Sequence, residues 1–409
     1  MICPAMNCFT RTADKYEVSD ANESTEPSPE QLELWAKQHG MPIEHLLHCG
    51  AIRLLNACWI VEFARSKRAL PPRQHLPEAA FVTVEQLQQA MPNIADYLRI
   101  VVLSYAWLTP EHPDPKADTL RRLAPLLEVM LKHTRRHEVM FRFVGVFWDW
   151  ASLHQHAGGR LQRQGTALVR RRSEHEDSLF RQALNSLALL YAHPFTYVVK
   201  MTTLPEDYPA GYRLPTKHPP TPYNDRGWCF TESSWATMVK SGGGVIDLSL
   251  FDPLVHTGWV RLQTDCARAA RKPPLLPSEF ERLVATKRFT NGREDQPLVT
   301  RLYRAYFEEA FAKAEKLRFN ELGWTDADVK QLAAVALSPP GMACVRELWL
   351  THNTITDDGC HTLVGMFDSG GMPELEALFI SENTFKSWEA GGLALAECAQ
   401  RHGFAIYQD

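Results

Sequence analysis

Three hydrophobic periods follow one another along the chain. Between residues 29 and 66 apolar side chains recur at helical spacing. "PEQLELWAKQ" predicts a short helix entered through Ser28-Pro29. In "LLHCGAIRLLNACWIVEFARSK", Leu47, Ile52, Leu55, Trp59 and Phe63 predict a second helix with one face on a larger body. "ALPPRQHLPEAAF" reads as a proline-punctuated connector. From residue 98 short apolar runs alternate with amphipathic stretches. "LRIVVLSY", "MFRFVGVFWDW" and "FTYVVKMTTL" predict strands, and "VIDLSL" a final one. Helices are expected between them. One is "ADTLRRLAPLLEVMLKHT", with Leu120, Leu123, Leu127, Met130 and Leu131 on one face; a long one runs through "SLFRQALNSLALLYAH"; a third is "RGWCFTESSWATMVK", stopped by "SGGG". Strands apolar on both faces, separated by helices, predict a doubly wound, mostly parallel α/β sheet. Residues 251–315 read as mostly helical, clearest in "PSEFERLVATKRF" and "QPLVTRLYRAYFEEAFAKAEKL".

The third period is a repeat. Aligning "LRFNELGWTDADVKQL", "LWLTHNTITDDGCHTL" and "LFISENTFKSWEAGGLAL" brings Leu317, Leu348 and Leu378 into register, with Phe319, Leu350 and Ile380 two residues later. Asn353 and Asn383 share one position, whereas the first unit has Leu322 there. The pattern resembles leucine-rich repeats of the ribonuclease-inhibitor type, which implies strand-plus-helix units in a short α/β solenoid and a surface for a protein partner. The resulting division is a disordered tail (1–28), a helical N-terminal extension (29–94), an α/β domain (95–250), a helical connector (251–315) and the repeats (316–409).

Composition changes this picture little. The chain has 409 residues, enough for two or three cores, with 45% hydrophobic and 22% charged residues as in globular proteins. A net charge of -4 lacks the basic surplus of a nucleic-acid binder, and the "RRR" at 170–172 reads as solvated loop charge. The nine cysteines form no CxxC pair, which argues against a disulfide framework and against a zinc cage. No signal-peptide pattern and no apolar run of membrane-spanning length is visible, so a cytoplasmic protein in a reducing compartment is expected. The absence of GxGxxG and P-loop motifs argues against dehydrogenase and NTPase chemistry. "SGGG" follows a helix, the reverse of a phosphate cradle. His154 and His156 have no second ligand pair, so no metal or resident cofactor is expected.

Candidate chemistry gathers where the strands of such a sheet end. Ser104, Tyr105, Ala106 and Trp107 follow the first strand, Asp149 the second, and "DRGWCFTES" (225–233) the third. Asp149 ends an apolar strand and so needs a hydrogen-bond role. Asp225 is placed to cap the next helix, on which Trp228, Glu232 and Trp235 share a face at spacings of four and three. A carboxylate between two indoles would be partly desolvated and its pKa raised, which suits sugar-hydroxyl or proton chemistry. The other reading stays open: core tryptophans, a glutamate serving the helix dipole, and an aspartate capping a turn. Cys229 lacks a neighbouring histidine and reads as a small buried residue.

"LSYAW", "FWDWASLHQ", "ALNSLALLYAHPFTYVV" and "DRGWCFTE" occur in the order seen in fungal heterokaryon-incompatibility (HET) domains, and this region resembles them over about residues 95–250. HET domains are in turn similar to TIR domains, many of which cleave the nicotinamide–ribose bond of NAD. The resemblance implies Glu232 as catalytic carboxylate, a pocket lined by Ser104, Tyr105, Trp107, Asp149 and Trp228, NAD as substrate rather than cofactor, and self-association. The loop at 205–224 is long and placed to cover such a pocket. "HQHAGGRLQRQG" and "RRR" do not match a TIR-type association loop. Two functions follow: an intracellular signalling or self-recognition protein that hydrolyses NAD, or a non-enzymatic interaction scaffold built from the same two domains.

Overall fold

The computed structural model describes residues 26–91, 98–136, 143–156, 172–212, 214, 219–240, 242–267, 271–290 and 292–408. Most of the expected tail (1–25) and most of the loop containing "GGRLQRQG" and "RR" therefore lie outside the described residues.

The chain enters through α1 (Pro29–Lys37), whose Ser28 accepts from the Gln31 amide while Gln31 returns a bond to the Ser28 amide. The single helix expected next is three elements: α2 (Met41–His48), β1 (Leu54–Asn56) and α3 (Ala57–Ala64). Gly50, at φ 75°, ends α2, and Asn56 accepts from the Cys58 amide to start α3. Leu54 and Leu55 are buried from opposite sides, which strand geometry allows and a helix face does not. The connector supplies a further strand, β2 (Phe81–Val82), followed by α4 (Val84–Gln89).

Next come β3 (Ile100–Tyr105), α5 (Asp118–Arg136), β4 (Gly145–Phe147) and α6 (Asp149–Ser152). α7 (Glu174–Asn185), α8 (Ala188–Tyr191), β5 (Tyr197–Met201), α9 (Gly227–Trp235) and β6 (Val245–Asp247) complete this layer. The sheet order is β2-β1-β4-β3-β5-β6. β4, β3, β5 and β6 are parallel, and β1 pairs antiparallel with both β2 and β4. The structure is thus mixed α/β with a mostly parallel sheet, and the N-terminal extension contributes two of its strands. β3 is buried throughout: Ile100 and Val102 enter one apolar layer, Val101 and Leu103 the other. Because β4 lies on one side of β3 and β5 on the other, the strand order reverses at β3, which opens a crevice at its carboxyl end.

The long helix expected through 178–193 divides into α7 and α8 at Ser186, and α8 turns so that Tyr191 donates to the Leu103 carbonyl of β3. The connector folds as α10 (Trp259–Ala267), α11 (Pro277–Val284) and α12 (Gly292–Lys313). α11 and α12 pack against α9, and Phe280 stacks on Tyr303 with ring centroids 3.8 Å apart. One continuous apolar cluster passes from Trp235 through Phe280, Tyr303 and Phe311 into the C-terminal units.

Those units are β7 (Lys316–Arg318), α13 (Asp326–Ala336), β8 (Glu347–Trp349), α14 (Asp357–Asp368), β9 (Ala377–Phe379), α15 (Ala390–His402) and β10 (Ala405–Tyr407). Their four strands form a second, parallel sheet in which Leu317 pairs with Leu348 and Leu348 with Leu378. Asn353 Nδ2 donates to the Phe319 and Leu350 carbonyls, and its Oδ1 accepts from the Leu322 and Trp324 amides. The asparagine of the second unit thereby also ties the turn of the first, where Leu322 replaces it. β10, unmarked by any apolar run of repeat type, closes the sheet beside β9. Among the described residues no helix is long and apolar enough to cross a membrane.

Candidate functional site

The crevice at β3 opens into a cavity of about 950 Å³, at the upper end of the range for small-molecule sites. Tyr105, Trp107, Asp149, Trp228 and Glu232 all line it. Ser104 lies just behind, fully buried, and its hydroxyl donates to Glu232 Oε2 at 2.5 Å.

Ser104 carries a second partner, the Tyr223 hydroxyl at 2.7 Å, which in turn meets the Ser233 hydroxyl at 3.0 Å. Each hydroxyl has one proton. If Ser104 donates to the Glu232 carboxylate, Tyr223 must donate to Ser104, and Ser233 to Tyr223. The chain of donors then ends on the carboxylate and reverses when Glu232 is protonated. Burial pushes the Glu232 pKa well above the ordinary carboxylate value, opposed by the Ser104 hydrogen bond and reinforced by the negative charge of Asp149.

Asp149 takes part in both roles left open by the sequence. It opens α6 and accepts from the Trp150 amide, and it also receives the Tyr105 hydroxyl at 2.6 Å and the Trp107 indole at 2.9 Å. Its pKa is raised by burial against the lowering effect of those three donors. Trp107 stands edge-on to Trp150, ring centroids 5.7 Å apart, so the indole is braced as well as bonded.

α9 departs from expectation in two places. Asp225 does not cap it: Arg226 occupies that position without a side-chain cap, and the exposed Asp225 pairs instead with Lys287 at 3.6 Å. The two indoles do not flank Glu232 in one environment either. α9 runs from the cavity rim into the interior, so Trp228 lines the cavity and donates to Asp295, whereas Trp235 is fully buried in the core. The carboxylate is desolvated by the cavity walls rather than by an indole pair. Cys229 is buried, bonds the Tyr105 carbonyl at 3.3 Å and has its thiol pKa pushed well up by burial, which removes it as a nucleophile.

The long loop lines the cavity through Tyr208, Leu214, Pro219 and Thr221. The helical connector, which carried no site signal in the sequence, supplies another wall through Lys287, Arg288, Phe289 and Asp295. Its segment bonds directly to the start of α9: the Gly227 amide donates to the Arg288 carbonyl and the Arg288 amide to the Asp225 carbonyl. Gly227 is required there, because a Cβ would lie 2.0 Å from Cζ of Phe289. His156 is exposed and lines the cavity, whereas His154 is half-buried and does not. His154 is 3.7 Å from Glu176, with its pKa lowered to about 4 by burial, and His156 meets Arg172 at 2.9 Å.

Away from the cavity, Asp368, Cys398 and His402 are close enough to share an ion, but Arg401 already holds both Asp368 oxygens at 2.9 Å. No protein-family model, curated protein or solved structure matches the chain.

Proposed function

We propose that the chain is an NAD glycohydrolase of a signalling or self-recognition system, with Glu232 as its catalytic carboxylate and the C-terminal units acting as leucine-rich repeats that recognise a protein partner. The observation that carries this reading is the bonding of Glu232. It faces a cavity large enough for a dinucleotide and is tied to a serine hydroxyl, not to backbone amides.

Cleavage of an N-glycosidic bond at ribose passes through an oxocarbenium-like state. A desolvated carboxylate against the ribose stabilises that charge strongly, since no water screens it. Burial raises the Glu232 pKa and so favours its protonated form. A ligand carrying a pyridinium cation supplies the positive charge that favours the ionised form, with Ser104, Tyr223 and Ser233 reorienting to donate toward it. The Trp107 and Trp228 indoles offer faces for a nucleobase or the nicotinamide ring.

A second reading, a non-enzymatic interaction scaffold, draws on Asp149, whose three donors are those of a structural acid. The test is incubation of the purified protein with NAD, free and crowded on a surface, beside Glu232→Gln. Release of nicotinamide by wild type only is expected. Equal turnover in both removes Glu232 from catalysis, and no turnover in either under crowding favours the scaffold.

A further inference from the structure

Two arginines stand side by side on the cavity wall. Arg226 and Arg288 are partners in an isolated parallel bridge, which sets the start of α9 against the connector and directs neighbouring side chains to one side. Both line the cavity. Arg226 is fixed by two neutral acceptors, Nε to the Thr221 carbonyl at 2.9 Å and Nη1 to the Trp107 carbonyl at 2.7 Å. Among the described residues neither guanidinium forms an ion pair with a carboxylate. Like charges on directly bridged positions repel, so an anion held between them is favoured.

Glu294 and Asp295 also line this wall, and among the described residues neither forms an ion pair with Arg226 or Arg288. Lys287 takes Asp225, and Asp295 receives the Trp228 indole. Glu232 and Asp149 line the cavity beside the end of β3, whereas the half-buried Arg226 and the exposed Arg288 line it where the connector meets the start of α9, with Lys287, Glu294 and Asp295 nearby. Glu232 lies six residues beyond Arg226, the cap residue of α9, or about 9 Å along the helix axis. Through Trp107, whose carbonyl accepts from Arg226 and whose indole donates to Asp149, the two regions are one residue apart.

We infer that Arg226 and Arg288 form a diphosphate subsite, so that the cavity takes a nucleotide with its sugar toward Glu232 and its phosphates at this pair. The planar fork of arginine matches phosphate oxygens in pairs, and Arg226 is already oriented by its two carbonyls. This deepens the reading of the cavity as a substrate site and rests on it for the orientation of the sugar.

Isothermal titration with ADP and with adenosine tests the subsite without reading turnover. Wild type binds ADP at least about tenfold more tightly than adenosine. Arg288→Gln, at an exposed side chain, brings ADP close to adenosine and leaves adenosine unchanged. Arg226→Lys keeps the charge but loses the fork and gives an intermediate ratio. Arg282→Gln, on the outer face of α11 and paired with Glu279, preserves the wild-type ratio. Equal binding of ADP and adenosine by wild type, no binding of either, or an unchanged ratio in Arg288→Gln overturns the proposal. ADP selectivity in a protein that leaves NAD intact would sustain the subsite and sink the glycohydrolase reading; NAD cleavage without ADP selectivity would do the reverse.

Discussion

Ser104, near the end of β3, donates its hydroxyl to Glu232 of α9 across 128 positions of sequence. The bond joins the strand at which the sheet reverses its order to the helix that borders the cavity. It also sets the ionisation of the site, because burial raises the Glu232 pKa and this hydroxyl opposes the rise.

The first prediction concerns pH. A carboxyl whose folded pKa lies above its value of 4.5 in the unfolded chain holds its proton longer when folded. Stability from that proton is intact below 4.5 and is lost as pH rises through the raised pKa. Glu232→Gln removes this loss. The variant should gain melting temperature over wild type at about pH 8 and gain much less at about pH 4. An equal difference at both pH values would show that Glu232 is not desolvated as described.

Gly227 and Phe289 give a steric test of the connector wall. Alanine at 227 drives its Cβ into the Phe289 ring and should cost about 1–3 kcal/mol in urea unfolding. Adding Phe289→Ala should recover part of that cost, giving a favourable coupling in the double-mutant cycle. Strict additivity would mean that the ring does not seal against α9.

Arg271 clasps the two halves of the molecule. It is buried, donates to the Thr237 and Met238 carbonyls just beyond α9 and to the Arg318 carbonyl of β7, and its own carbonyl accepts from the Trp324 indole. Alanine there orphans several buried carbonyls, at about 1–3 kcal/mol for each left without a donor. Chemical denaturation should show a loss of about 3 kcal/mol or more. A loss below about 1 kcal/mol would mean that water replaces the guanidinium, and the clasp would carry no weight.

The repeat asparagines should differ in cost. Both bridge neighbouring units, but Asn353 is buried and its Oδ1 accepts two amides, whereas Asn383 is half-buried and its Oδ1 accepts one, from Ile355. Asn353→Ala should therefore destabilise by about 2–4 kcal/mol, clearly more than Asn383→Ala. Equal costs in thermal unfolding would contradict the asymmetry.

Elements whose side chains all answer to one pattern were legible in sequence. β3 and β5 are continuous apolar runs because both their faces are buried, and α5 and the Leu317, Leu348 and Leu378 register repeat at a fixed interval because one face is buried. The residues 47–63 misled for the same reason. Leu55, Trp59 and Phe63 satisfy a helical spacing, yet Leu55 belongs to a strand, because Gly50 and Asn56 divide the segment and the open edge of β4 offers Leu55 a partner. Very short strands such as β1, β2 and β10 hold their place mainly through neighbours distant in sequence, and no local pattern records those.

The site divides along the same line. Tyr105, Trp107, Asp149, Trp228 and Glu232 were legible because strand ends in an open parallel sheet converge whatever the loops do. Which partner each would take was not. Asp225 lost its capping role to a lysine 62 positions onward, and Trp235 sank into the core while Trp228 stayed at the cavity. Arg226 and Arg288 became neighbours only when the connector laid itself against α9. Periodicity is a local property and survives in one dimension, so the strands, the helices and the edge at which chemistry gathers can be read from the chain. Charge pairing, burial of a single side chain and the walls of a cavity depend on segments far apart in sequence, and tertiary packing alone brings those together.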